Sequence, residues 1–220
     1  MLRRIDKNQP KGFEFTKPNL NWVKKQIGKY PKDRKQSAVI PLLYKAQEQE
    51  GWVSKPAIEV IAKMLGMAPI RVYEVASFYF MFHLSPVGQK AHIQVCGTTP
   101  CMLRGSEKLI QICKEKISKH SKELSPDGQL SWEEVECIGA CSNAPVIQVG
   151  SDYYEDLSAD SFLNLLDKLI KDNPLPGSQK KRFSSEPEGL FKSSKRNLEE
   201  STNASVKLYL EATISEKNKK

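Results

Sequence analysis

Two pairs of cysteines frame a stretch of 46 residues, and no other feature restricts this chain so closely. The first pair is Cys96-Gly-Thr-Thr-Pro-Cys101, a C-x4-C, and the second is Cys137-Ile-Gly-Ala-Cys141, a C-x3-C, with 35 residues between them. Thiolates paired on short loops and brought together by a fold are how proteins hold metal centres. A four-thiolate iron–sulfur cluster needs such a set. Gly97, Thr98, Pro100, Gly139 and Ala140 suit it, because small and turn-forming residues let backbone N–H groups point at sulfur.

Zinc is the serious competitor, since four thiolates also make a structural zinc site. Structural zinc usually uses C-x2-C knuckles, and both pairs here are wider. A redox dithiol fits less well, because the activating C-x-x-C is missing and four cysteines stand in place of two. The spacing favours iron–sulfur over zinc and dithiol, and one pair per loop favours two irons over four. Cys113 falls on the apolar stripe of a helix and reads as a small hydrophobe. His83, His92 and His120 fall at an aromatic junction, an outward strand position and a polar helix end, and none joins the cysteine pattern.

The net charge of +8 sits at the two ends. Residues 1–35 hold 11 basic and 3 acidic side chains, residues 174–220 hold 10 and 6, and the body between is net −4. Solvated ends explain that balance, and nucleic-acid binding is not expected. The longest stretch free of Asp, Glu, Lys and Arg, Val75–Gln89, is shorter than the ~20 apolar residues of a membrane span. Asp6 and Glu14 argue against an organelle transit peptide. Five cysteines without a secretion signal point to a reducing compartment.

Periodicity divides the chain into four parts. Residues 1–35 read as an extended arm with a short helix near Asn21–Lys29. Residues 36–84 read as a helical bundle of three helices. Ser37 caps the first, which stops at Gly51; Ser54 and Pro56 open the second, which stops at Gly66; Pro69 opens the third. The aromatic run Phe78–Phe82 reads as a core plug, and Ser85-Pro86-Val87-Gly88 as a boundary. Residues 85–173 read as an α/β layer in the order β-α-β-β-α, with one helix over about Met102–Lys119. Cys101 is expected at or next to the N-terminus of that helix, with Arg104 within a turn of it. Residues 174–220 read as a charged tail without a packed core, Val206–Ile214 being its one apolar interval.

The strings HIQVCGTTPCMLRGS, EVECIGACSNAPVIQV and DYYEDL, with RVYEVASFYFMF before them, closely resemble one family. It is the thioredoxin-like [2Fe–2S] subunit of respiratory complex I, the 24 kDa subunit of NADH:quinone oxidoreductase. The resemblance runs from about Phe13 to about Gly189. It implies an α/β fold in which a helical bundle precedes a thioredoxin-like [2Fe–2S] ferredoxin domain. It also implies that Cys96, Cys101, Cys137 and Cys141 are the ligands of one [2Fe–2S] cluster. The family pairs with a larger flavoprotein subunit that binds FMN and oxidises NADH. The implied role is therefore one-electron exchange with that flavin, with no catalytic residue, NADH site or FMN site on this chain. The implied place is peripheral, on the cytoplasmic side of a bacterial inner membrane, without membrane insertion. Ser185 stands where relatives often carry cysteine, and residues 190–220 have no counterpart. NAD-linked hydrogenases and formate dehydrogenases use similar subunits, and a zinc-stabilised scaffold is the reading from another class.

Overall fold

Residues 3–171 and 174–180 are described by the computed structural model. Helices come first: α1 Lys17–Ile27, α2 Val39–Glu50, α3 Lys55–Leu65 and α4 Pro69–Phe78. Pro18 and Pro56 lie in the first turns of α1 and α3, where the missing N–H costs nothing. The Ser54 hydroxyl caps α3 by accepting from the Ala57 amide at 3.3 Å. Ser37 does not cap α2. It lies inside a 3-10 segment, Lys32–Ala38, that runs straight into α2, because Ala38 is already buried and the chain enters the helix from within the core.

One apolar core joins these helices, with Val23, Leu42, Leu43, Ile61, Leu65 and Val72 fully buried in it. The arm belongs to the same core. Phe13 and Phe15 pack edge to face at 4.9 Å, and the Asp6 amide donates to the Leu84 carbonyl at 2.8 Å. The aromatic run is a plug only at its last residue. Phe82 is fully buried, whereas Phe78 and Phe80 are each 74% exposed. Tyr79, directly after α4, is already extended, so successive side chains there point to different sides.

Five strands form one sheet: β1 Ala91–Cys96, β2 Leu130–Val135, β3 Ile147–Val149, β4 Asp152–Glu155 and β5 Gly177–Ser178. Their order is β2-β1-β3-β4-β5. β1 and β2 are parallel, β3 is antiparallel to both β1 and β4, and β4 and β5 are parallel. The crossover from β1 to β2 carries two helices where the sequence suggested one, α5 Thr99–Leu103 and α6 Ser106–Lys116. Gly105 separates them at φ +100°, a conformation that costs glycine little and other residues much. Leu109 and Cys113 of α6 and Phe162, Leu165 and Leu166 of α7 (Ala159–Lys171) share an apolar core with Ile93, Trp132 and Ile147.

The other face of β1 is covered too. His92, read as outward, is only 9% exposed, and the His83 ring packs on it at 4.5 Å. Cover on both faces explains why β2 alternates so poorly: its first four residues are all buried. β5 lies past residue 173, so the sheet reaches into the expected tail. Ser185, Val206–Ile214 and the rest of 181–220 lie outside the described residues. Among those described, no helix is long and apolar enough to cross a membrane.

Candidate metal centre

Parallel pairing is what brings the two cysteine loops together. Strands that run the same way end at the same edge of a sheet. Cys96 pairs with Val135 at that edge, and Cys137 follows two residues later. Cys141 opens a short 3-10 turn, Cys141–Asn143, from which the chain enters β3 against β1. Two backbone bonds close the junction, from the Cys96 amide to Val146 O at 3.2 Å and from the Gly97 amide to Val135 O at 3.0 Å.

The four thiols converge there. Cys137 Sγ lies 3.4 Å from Cys141 Sγ, and Cys96 Sγ lies 3.4 Å from Thr98 Oγ1. Cys101, inside α5, shares a hydrogen bond with Cys96, and Cys137 reaches Thr98 and Cys96 as well as Cys141. The pairs differ in environment. Cys96 and Cys101 are each 1% exposed beside Ala144 and Ile138, while Cys137 and Cys141 are exposed.

Electrostatics follows that division. Burial, reinforced by the bond to Cys96, pushes the Cys101 thiol up to about 12. The Gly139 amide pulls Cys137 below its ordinary value, and the bond to Cys137 pushes Cys141 above it. A nucleophilic dithiol needs an accessible, readily ionised sulfur. Exposed Cys137 meets that description, but Cys101 does not: its buried thiol resists ionisation, and metal binding would have to release its proton. The donor set is soft and all-sulfur, in one buried and one exposed pair, which suits iron–sulfur and zinc alike. Cys113 is fully buried in the sheet core, where burial pushes it up to about 12, and it takes no part. His83 and His92 lie together away from the sulfurs, and His120 is exposed.

Residues that sequence reasoning passed over hold the second loop. The Tyr153 hydroxyl on β4 donates to Ile138 O at 2.9 Å, inside the Cys137–Cys141 loop. Asn143 donates to the fully buried Glu155 carboxylate at 2.5 Å, and the Asp156 amide returns to Asn143 O at 2.7 Å. The Ala144–Pro145 peptide bond is cis. An acidic residue next to Tyr154, in a strand otherwise ready for the core, was the available signal. Arg104 follows the C-terminal end of the five-residue α5, not its N-terminus. It lines a surface groove with Cys141, Ser142, Ala144, Asp156 and Lys180.

Residues 23–170 match the sequence model of a family described as thioredoxin-like [2Fe–2S] ferredoxin. An NADH-quinone oxidoreductase subunit of Rhizobium meliloti (strain 1021) is 54% identical over 193 residues, 86% of this chain and 70% of that protein. The corresponding NADH-quinone oxidoreductase subunit of Rickettsia conorii (strain ATCC VR-613 / Malish 7) is 52% identical over 161 residues, 73% of this chain and 96% of that one. Among solved structures, an NAD+-reducing [NiFe]-hydrogenase in its H2-reduced state superposes with a TM-score of 0.55. At 18% identity, over 62% of this chain and 23% of that one, this is a likeness of fold.

Proposed function

The chain belongs to the thioredoxin-like [2Fe–2S] ferredoxin family, and we propose that it is the one-electron carrier in the NADH-oxidising module of an NADH-quinone oxidoreductase. The observation that carries this reading is the convergence of four thiols at one sheet edge in a chain 54% identical to a component of such a complex. Cys96 and Cys101 would hold one iron from the buried side, and Cys137 and Cys141 the other from the exposed side. When bound, a [2Fe–2S] cluster takes up and gives back one electron. The buried pair keeps water from half of the site, and amides such as that of Gly139 favour negative charge on sulfur.

The surface beside the exposed pair suits a protein partner. Leu103, 76% exposed, projects next to the first cysteine loop, and Arg104 and Lys180 line the groove at Cys141. Phe78, Phe80 and Ile70 are also exposed. The partner in this reading is a flavoprotein subunit that carries FMN and the NADH site, within a complex peripheral to the cytoplasmic side of a bacterial inner membrane. The chain then divides into an arm (1–35), a helical unit (36–84), a cluster unit (85–173, its sheet reaching Ser178) and a charged tail. The likeness to the NAD+-reducing hydrogenase is one of fold alone. The relatives above 50% identity favour the quinone-linked complex.

Purified anaerobically, the full chain should contain two irons and two acid-labile sulfides and give a one-electron EPR signal after strong reduction. Adding the flavoprotein partner should make that signal appear with NADH. Stoichiometric zinc without sulfide, in protein made with ample iron, would refute the cluster. A signal that NADH and the partner never produce would refute the assignment to the NADH module.

A further inference from the structure

The face of the sheet turned away from α6 and α7 carries a second set of ligating side chains. His83 lies in the connection after α4, His92 on β1 and Glu133 on β2. Each offers one ligand atom, and these atoms lie within 4.8 Å of one another. We propose that His83, His92 and Glu133 form a binding site for one zinc ion, with water completing its coordination. The site shares no ligand with the four cysteines and stands independently of how they are read.

Distance comes first. Nitrogen and oxygen ligands of a tetrahedral zinc, each about 2.0–2.2 Å from the metal, stand roughly 3.3 Å apart. His92 Nε2 and Glu133 Oε1 are already 3.2 Å apart. The parallel register produces this, setting His92 opposite Ser131 and Gln94 opposite Glu133 on one face. The His83 ring meets that of His92 edge to face, and with all three ligand atoms within 4.8 Å, up to about 1.5 Å of side-chain movement completes the set.

The surroundings are those of a supported metal site. Ligating imidazoles use their second nitrogen to fix ring orientation, and ligating carboxylates are hydrogen-bonded in turn. Ser131 Oγ lies 2.7 Å from His92 Nδ1. It also accepts from the Gly88 amide at 2.8 Å, and with two lone pairs it can accept from Nδ1–H as well, leaving Nε2 bare. Gln94 donates to Glu133 Oε1 at 2.8 Å, and Lys122 Nζ is 3.2 Å from Oε2. With Nδ1–H donated to Ser131, Nε2 is the ring atom left for a metal, which would take over its contact with Glu133.

His83 supplies the second independent observation. Its amide donates to Gln47 Oε1 at 2.6 Å and its carbonyl accepts from the Val53 amide at 2.8 Å. Its ring nitrogens have no hydrogen-bond partner among the described residues. A half-buried imidazole without a protein partner, set beside a second imidazole and a carboxylate, is in a position to ligate. The ionisation states agree. Burial, with help from His92, pushes His83 down to about 4, so its lone pair is available at neutral pH. Burial alone would raise Glu133, but the bonds from His92 and Gln94 and the charge of Lys122 hold it down at about 2.

The competing reading is a latch made only of hydrogen bonds, and cobalt separates the two. The full chain carrying its iron is freed of stray divalent ions with a mild chelator and titrated with Co2+ under nitrogen. We expect one cobalt per chain, with ligand-field bands of a nitrogen/oxygen set, no sulfur-to-cobalt charge transfer, and displacement by excess Zn2+. His83→Asn and Glu133→Gln should each weaken binding by about 100-fold or more, and Ser131→Ala by about 10-fold. Iron content and visible spectrum should match the parent chain. If Glu133→Gln disturbs the sheet, the half-buried His83→Asn decides alone. Parent uptake no greater than that of His83→Asn, uptake undiminished in both ligand variants, or a spectrum dominated by sulfur ligation overturns the site.

Discussion

Replacing Cys101 by serine should leave a folded chain almost without iron. Cys101 is, with Cys96, one of the two enclosed members of the proposed ligand set, and its hydroxyl replacement would have to ionise in surroundings that already push a thiol to about 12. Serine at Cys96, Cys137 or Cys141 should behave alike, because one iron would then keep only one sulfur from this chain. The exposed positions should lose the cluster more slowly than they fail to acquire it. Cys113→Ala is the matched control: it should keep full iron and sulfide, at about 1 kcal/mol for a small cavity in the sheet core. The readouts are iron and sulfide per chain, and far-ultraviolet dichroism for the fold. A Cys101→Ser chain with undiminished iron, or a Cys113→Ala chain without it, would show that the ligand set is wrong.

Phe162→Ala should be the most destabilising single change outside the metal centre, by about 3–5 kcal/mol. Phe162 is the largest fully buried side chain of α7 and packs in the core that includes Ile93 of β1 and Ile147 of β3. Chemical denaturation of the iron-free chain should show the loss directly. Phe80→Ala removes the same atoms from a side chain 74% exposed, and should stay within about 0.5 kcal/mol. If the two variants unfold at the same denaturant concentration, the core of the sheet is not where its stability lies.

How far the sequence carried depends on where each residue's determinants lie. Helix ends with local causes were legible: Ser54 and Gly66 bound α3 as expected, and Pro69 opens α4. The β-α-β-β-α order of the second half was legible too, from alternation and turn residues, though not the split of its first helix. Positions fixed from a distance were not. His92 reads as outward by alternation, and only the His83 segment on its face makes it buried. Phe78 and Phe80 read as core because they are aromatic, whereas the extended chain after α4 turns them to solvent. Gly105 inside a helical pattern hid a break, since one glycine is compatible with either outcome. The four cysteines could be named from spacing and resemblance. Their convergence needed the β1–β2 register, and the Asn143–Glu155 bond that steadies the second loop has no local pattern at all.

The parallel β1–β2 pair also sets an order of events in the life of the chain. Each cysteine loop is local and can form early, yet alone it offers only two sulfurs. The four-sulfur set exists only after the chain has crossed over and the non-local pairing has closed, a slow class of contact. An unfolded or half-made chain therefore has no complete site with which to gather iron, unlike a zinc finger, whose metal drives its folding. Folding would then come first, with the cluster entering through the side where Cys137 and Cys141 are exposed. On dilution from denaturant with iron and sulfide present, dichroism should recover before the cluster's visible absorbance. Simultaneous recovery would mean that the metal helps to build the sheet. In the cell, the same order makes cluster content a report on which copies have completed their fold.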